Sequence, residues 1–175
     1  MRAYYFGNMY LSSIQQGIQA AHATHEMFTR YTHTISGEKT QMLYDWAENH
    51  KTMILLNGGY METIQDLVWF FSHDENPYPW SKFREGEDSL GGILTTVGII
   101  LPERIYLTAA AVRSERPWTA TGTIRETLEQ HGCFTVGPGN DLGFDVPCDQ
   151  DQLTIEISKW EYDLINRLNQ FGLAR

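Results

Sequence analysis

Ile93-Leu94-Thr95-Thr96-Val97-Gly98-Ile99-Ile100-Leu101 is the stretch on which the fold turns: aliphatic or β-branched throughout, with one glycine. A continuous apolar run of this length, set between a polar, glycine-rich segment (85–92) and Pro102-Glu103, suits a strand buried on both faces. Such a strand sits inside a sheet, so partners are expected on both sides of it. Upstream, residues 80–84 read as an edge strand preceded by the proline-bearing loop 73–79. Downstream, Pro102 and Glu103 open a helix expected to reach about residue 112, with Pro at the first helical position, where its missing N–H costs little.

Further out, Thr52-Met53-Ile54-Leu55-Leu56 is a second short apolar run, stopped by Asn57-Gly58-Gly59. Residues 62–72 then supply a crossover helix, with Ile64, Leu67, Val68 and Phe71 at helical spacing. Tyr4, Tyr5 and Phe6 mark a first strand over residues 2–8. Ser12 and Ser13 stand at the start of a long helix (14–31), whose inward face is expected to carry Ile14, Ile18, Ala21, His25 and Phe28. After Ser36-Gly37 a second helix is expected at 39–48, with Met42, Leu43 and Trp46 on one side. This order predicts a three-layer α/β/α domain around a small mixed sheet over residues 1–113. The remainder, 114–175, reads as an extension: a connector from Arg116-Pro117-Trp118, a short helix at 123–130, and a Gly/Pro-rich stretch at 132–147. Last comes one amphipathic C-terminal helix carrying Leu153, Ile157, Trp160, Leu164, Leu168 and Phe171.

The 175 residues carry 13 Lys plus Arg against 22 Asp plus Glu, a formal charge of −9. With 42% hydrophobic residues the chain can bury a core, which excludes a disordered protein. No apolar run approaches the ~18–20 residues that span a bilayer, and the first residues lack the apolar stretch of a signal peptide; a cytoplasmic protein without a membrane partner is expected. Cys133 and Cys148 form no CxxC pair, so neither a disulfide framework nor a cysteine-rich zinc site is expected. Because binding long nucleic acids rests on neutralising many phosphates, the acidic balance disfavours them as partners without excluding tRNA.

Gln19, Ala21, His22 and Ala23, within Leu11-Ser12-Ser13-Ile14-Gln15-Gln16-Gly17-Ile18-Gln19-Ala20-Ala21-His22-Ala23, match the helix signature of the archaeal and eukaryotic type of peptidyl-tRNA hydrolase. That signature runs from a first strand through a Met-Gly-Lys-Gly-Lys type turn into a helix reading Ala-Ala-Gln-x-x-His-Ala, and Leu11 stands for its Met. A Trp-bearing second helix (Trp46), the strand after it, a crossover helix, an acidic loop and a Thr-rich strand with Gly98 follow in the family's order. The chain thus resembles this family over about residues 2–112, and the resemblance implies a hydrolase-like fold. It also implies departures. The family's catalytic lysine aligns with Gln15, its other turn lysine with Ser13 and its preceding Asp with Asn8. Its catalytic Asp falls at Glu85 or Asp88, and its loop hydroxyl is best matched by Ser89. Losing an ammonium aimed at developing negative charge removes an electrostatic contribution commonly worth about 3 kcal/mol or more.

Two functions follow as expectations. In the first, the chain is a non-catalytic or divergent relative that binds and sequesters a small nucleotide-derived ligand, as a phage-type counter-defence protein would. Ser12, Ser13 and Gln15 then hold a phosphate at the helix start, where N–H groups and the dipole favour an anion. Gln19 and His22 orient it, and Glu85, Asp88 and Ser89 meet its hydroxyls. In the alternative, the chain hydrolyses peptidyl-tRNA or a smaller nucleotide-linked ester, with Glu85 or Asp88 as base and His22 as acid or orienter. Lys82 and Arg84, alternating with Phe83 along a strand, then face the site in place of the missing lysine. No cofactor is expected. His22, His25, Glu26 and His33 do not make a zincin pattern, so no metal is expected. Cys133 with His131 or Cys148 gives no nucleophile–base spacing. The run 137–143 offers backbone amides without a P-loop lysine, and Tyr4, Tyr5, Tyr10, Trp80 and Trp118 are candidate stacking surfaces. Exchange of the C-terminal helix with a second chain would give a homo-oligomer.

Overall fold

β1 (Arg2–Gly7), β2 (Met53–Asn57), β3 (Trp80–Arg84) and β4 (Leu94–Leu101) form one mixed sheet in the order β2-β1-β4-β3. The structure, a computed structural model, describes residues 1–32, 37–114, 117–119, 122–137, 142–146 and 152–174, with the side chains at 89, 90 and 117–119 outside that description. β4 is buried along its whole length, as its unbroken apolar run requires. β1 runs parallel to β2 and antiparallel to β4, and β3 runs antiparallel to β4. The chain is therefore a mixed α/β protein.

A parallel β1–β2 pair needs a long crossover, supplied by α1 (Ser13–Thr32) and α2 (Glu38–Asp45). α2 runs on as a π-helical turn, Trp46–His50, ended by Lys51 at φ 54°. Trp46 plugs this end through Nε1 donating to the Thr52 carbonyl at 3.0 Å. Strand alternation sorts the two faces of the sheet. Tyr5 places its hydroxyl 2.5 Å from Thr24 Oγ1, and Ser81 Oγ donates to the Ala23 carbonyl at 2.5 Å, so α1 covers the face these residues present. Phe6 points the other way and meets Phe71 of α3 (Met61–Phe71), with ring centroids 6.0 Å apart. Gly98 stands opposite both Tyr5 and Ser81, and a Cβ there would lie 2.5 Å from Tyr5 Cε1. Only glycine leaves room for that ring.

The inward face of α1 differs from the expected one. Gln16, Gln19, Ala20, Ala23 and Met27 are buried, whereas Ile14 and Ile18 are 78% and 50% exposed. Ala21 and His25 are also exposed, and Phe28 is half-buried. Ala20 and Ala23 let the helix approach the sheet closely, and both buried glutamines donate hydrogen bonds through their NH2 groups, while Gln16 Oε1 finds no partner among the described residues.

Two compact units divide the chain: Met1–Leu101 with Phe171–Arg175, and Pro102–Gln170. The boundary falls at Leu101 rather than near residue 113, and the last residues return to the first unit. There Asn57 N–H donates to the Gly172 carbonyl and Ala174 N–H to the Leu55 carbonyl, covering the outer edge of β2. Phe171 packs edge-on against Phe6 with centroids 4.9 Å apart.

The second unit contains α5 (Glu103–Arg113), the short pair β5 (Pro117–Thr119) and β6 (Gly122–Thr123), α6 (Ile124–His131), the antiparallel pair β7 (Cys133–Val136) and β8 (Leu153–Glu156), and α7 (Lys159–Leu168). α4 is the brief helix Glu87–Leu90 of the first unit. The single amphipathic helix expected from Leu153 to Phe171 is thus corrected to a strand and a shorter helix. Thr154, Ile155 and Ile157 are β-branched, and Ser158 caps α7 through a reciprocal box with Glu161. The apolar stripe that suggested exchange with a second chain (Trp160, Leu164, Ile165, Leu168) is buried, with α7 packed on α5. Arg104 ties the same two helices together by an ion pair with the buried Glu161. No helix among the described residues is long and apolar enough to cross a membrane.

Candidate functional site

Where β1 ends, Asn8 turns the chain into the loop that leads to α1. It is 2% exposed, and its N–H donates to the Thr95 carbonyl at 2.8 Å. Its Oδ1 accepts the Tyr10 N–H at 3.1 Å and its carbonyl accepts the Leu11 N–H at 3.1 Å. Gln16 clamps the same loop from α1, donating Nε2 to the Leu11 carbonyl at 3.0 Å. In front of this loop lies a cavity of about 310 Å³, lined by Asn8, Tyr10, Leu11, Gln15, Ile93 and Thr95. Asn8 lines it, and its amide nitrogen has no hydrogen-bond partner among the described residues. That nitrogen is not closed off from solvent, so it is open to a partner from outside the protein.

Ser12 and Gln15 cap α1 reciprocally. Ser12 N–H and Oγ donate to Gln15 Oε1 at 2.9 and 3.0 Å, and Gln15 N–H donates to Ser12 Oγ at 3.3 Å. This is a Ser-x-x-Gln capping box, which also fixes the Gln15 side chain at the cavity wall. Its oxygen is occupied, and its NH2 has no partner among the described residues. Ser13 is exposed on the first turn.

One turn further on, Gln19 is buried and ties β4 to the residue that follows β3. Its Nε2 donates to Glu85 Oε1 at 2.6 Å, and its Oε1 lies 3.2 Å from the Thr95 hydroxyl. That hydroxyl is also 3.3 Å from the Phe83 carbonyl, so its single proton is shared between two acceptors. Thr95 reaches α1 through a bulge: Phe83 pairs with Thr96 and Arg84 with Leu94, leaving Thr95 unpaired between them. His22, one turn beyond Gln19, is exposed and stacks on Phe83 with centroids 4.5 Å apart and planes 14° from parallel.

Gln15 at the cavity, the Thr95–Gln19–Glu85 chain behind it, and the His22–Phe83 stack therefore share one end of α1 and its face of the sheet. Lys82 and Arg84 do not join them. Ser81 and Phe83 face α1, so the alternating Lys82 and Arg84 lie on the opposite face, where Arg84 donates to Gln65 of α3 at 2.8 Å. The expectation that both cations face the site is corrected on that ground. Asp88 is exposed in α4, and the Ser89 side chain lies outside the described residues. Among the candidate stacking residues, Tyr5 and Trp80 are core, Tyr4 is half-buried, Tyr10 is 77% exposed, and the Trp118 side chain is outside the described residues.

Among the described residues, no group of three His, Cys, Asp or Glu side chains is placed to hold a metal ion; His33 and Cys148 fall outside them, as do residues 138–141 of the glycine-rich run. Asn8 and Thr95 were missed as site residues. Asn8 was visible only as the residue aligned with the family's Asp, and the Thr95 bulge leaves no mark in a run of β-formers. No protein-family model matches the chain, and no curated protein matches it.

Proposed function

We propose that the protein binds and sequesters a small nucleotide-derived ligand in the cavity at the start of α1, within a peptidyl-tRNA-hydrolase-like α/β/α fold. The observation that carries this reading is Asn8: 2% exposed, lining a cavity of about 310 Å³, with an amide donor that the described protein groups leave unsatisfied. A donor that no protein group occupies and that solvent can reach is met by an acceptor-rich guest. Gln15 adds a second amide donor at the same wall, and the first N–H groups of α1 add partial positive charge without a fixed cation. A phosphate or a base carbonyl is the guest these donors suit. Sequestration of a nucleotide signal by a phage-type protein is one role consistent with this chemistry.

Hydrolysis of peptidyl-tRNA or a smaller nucleotide-linked ester is the second reading, supported by the Glu85 carboxylate held by Gln19 at 2.6 Å on the side of the sheet that carries His22. Against it weigh Gln15 at the position of the family's lysine and the placement of Lys82 and Arg84 on the far face.

Native mass spectrometry of the protein before and after incubation with a nucleotide extract, and separately with peptidyl-tRNA, tests both. Binding predicts a retained small-molecule mass that is stable on standing and is reduced by Gln15→Ala. Loss of the added ester without retained mass overturns the binding reading in favour of the hydrolase.

A further inference from the structure

Four of the ten large apolar side chains exposed among the described residues, Met9, Tyr10, Tyr60 and Met61, lie on two short segments, one of which lines the cavity through Tyr10. The segments are joined where Met9 N–H donates to the Gly59 carbonyl at 2.9 Å. Scattered exposed apolar groups need no explanation, but a cluster of them marks a contact surface. At its centre the rings of Tyr10 and Tyr60 meet with centroids 5.3 Å apart and planes 53° from parallel. Tyr10 belongs to both features, since it lines the cavity and is 77% exposed.

We propose that Tyr10 and Tyr60 form the stacking subsite for the base of the bound nucleotide, with the Asn8 and Gln15 amides donating to its acceptor atoms inside the cavity. This rests on the cavity being a nucleotide site and adds where the planar ring goes. The backbone that carries Tyr10 is held in place, since Asn8 Oδ1 accepts its N–H and the flanking Met9 and Leu11 N–H groups are bonded as well. Only the two side-chain torsions of the ring then remain to be ordered on stacking. Every base has a π-face, so an aromatic platform gains affinity without cations, which suits a chain of net charge −9. A cavity of about 310 Å³ lies at the small end of ligand pockets, fitting one nucleotide better than a strand.

NMR titration of the whole isotope-labelled chain with AMP, and in parallel with ribose 5-phosphate, tests it. AMP is expected to shift the ring resonances of Tyr10 and Tyr60 and the side-chain amides of Asn8 and Gln15, whereas ribose 5-phosphate shifts the amides alone. Tyr10→Leu should weaken AMP about tenfold and leave ribose 5-phosphate unchanged, while Tyr10→Phe retains AMP affinity. The stacking proposal is overturned if AMP leaves both rings unmoved, or if Tyr10→Leu weakens the two probes alike. Amide shifts in either of those cases leave the cavity reading standing; if neither probe moves Asn8 or Gln15, both fail. A dimer that disappears in Tyr10→Leu, with rings indifferent to AMP, assigns the patch to a second copy and also overturns the proposal.

Discussion

Gln19 and Glu85 are joined by a 2.6 Å hydrogen bond that ties the middle of α1 to the residue following β3. The bond has a direction. The Thr95 hydroxyl faces Gln19 Oε1, which turns the amide so that its NH2 meets the carboxylate. Replacing Gln19 by Leu keeps similar bulk in a buried position but removes both hydrogen bonds, leaving the Thr95 hydroxyl to donate to the Phe83 carbonyl alone.

Gln19→Leu should therefore cost about 1–3 kcal/mol of folding stability, read as a lowered urea midpoint with an unchanged slope. Gln19→Glu should cost at least as much, because it sets a second carboxylate against Glu85. A midpoint unchanged in both variants would show that the bridge contributes nothing to the fold.

Ser12 has two readings that one substitution separates. As the cap of α1 it donates to and accepts from Gln15, and Ser12→Ala should cost about 1 kcal/mol. Ser12→Asp should restore most of that stability, because an N-cap carboxylate accepts from the same N–H and suits the helix dipole. If the cavity takes a phosphate, the same Asp should repel it. Recovery of stability without recovery of ligand retention is the expected pattern, read by urea unfolding and native mass spectrometry side by side.

Gly98 and Tyr5 are matched in shape across β1 and β4, since a Cβ at Gly98 would stand 2.5 Å from the Tyr5 ring. The ring is 1% exposed and pinned through its hydroxyl at Thr24, so it has little room to withdraw. Gly98→Ala should cost roughly 1–3 kcal/mol by overpacking. Combining it with Tyr5→Leu should cost less than the sum of the two single changes, a coupling that a double-mutant cycle measures directly.

What could be read without coordinates follows from where the decisive physics lies. The four sheet strands were legible because buried strands must be continuously apolar, as residues 93–101 are, and because Gly58 and Pro102 stop their neighbours. The inward face of α1 was not. Periodicity finds an apolar stripe at Ile14 and Ile18 but cannot say whether the stripe meets the sheet or faces solvent, and here Gln16 and Gln19 are the buried residues. The C-terminal spacing misled differently. Leu153 to Phe171 keeps a helical rhythm across β8, a cap and α7, and the readable boundary was Ser158-x-x-Glu161. For the candidate site, Gln15, Gln19, His22 and Glu85 were singled out from residues and resemblance, whereas the facing of Lys82 and Arg84 depends on strand orientation, and Thr95 on a bulge.

Tyr5 also sets an alkaline limit on stability. Burial pushes its hydroxyl up from 10.0 to about 12, the Thr24 hydrogen bond opposing the shift only in part. The neutral phenol is the form the fold accepts, so its contribution is complete below the unfolded value near 10. It is lost as pH climbs to the folded value near 12, because above 10 the unfolded chain releases a proton that the native chain retains. Two pH units correspond to about 3 kcal/mol for this one group. Urea unfolding across that window should show the wild-type midpoint falling steeply. Tyr5→Phe should start lower by about 1 kcal/mol, having lost the bond to Thr24, and fall less steeply, so that the two curves cross between the unfolded and folded values, with the wild type the less stable near pH 12. Tyr162, whose hydroxyl is also raised, is present in both proteins and cancels in the comparison. Parallel curves over the whole range would mean that the Tyr5 hydroxyl does not govern the alkaline limit.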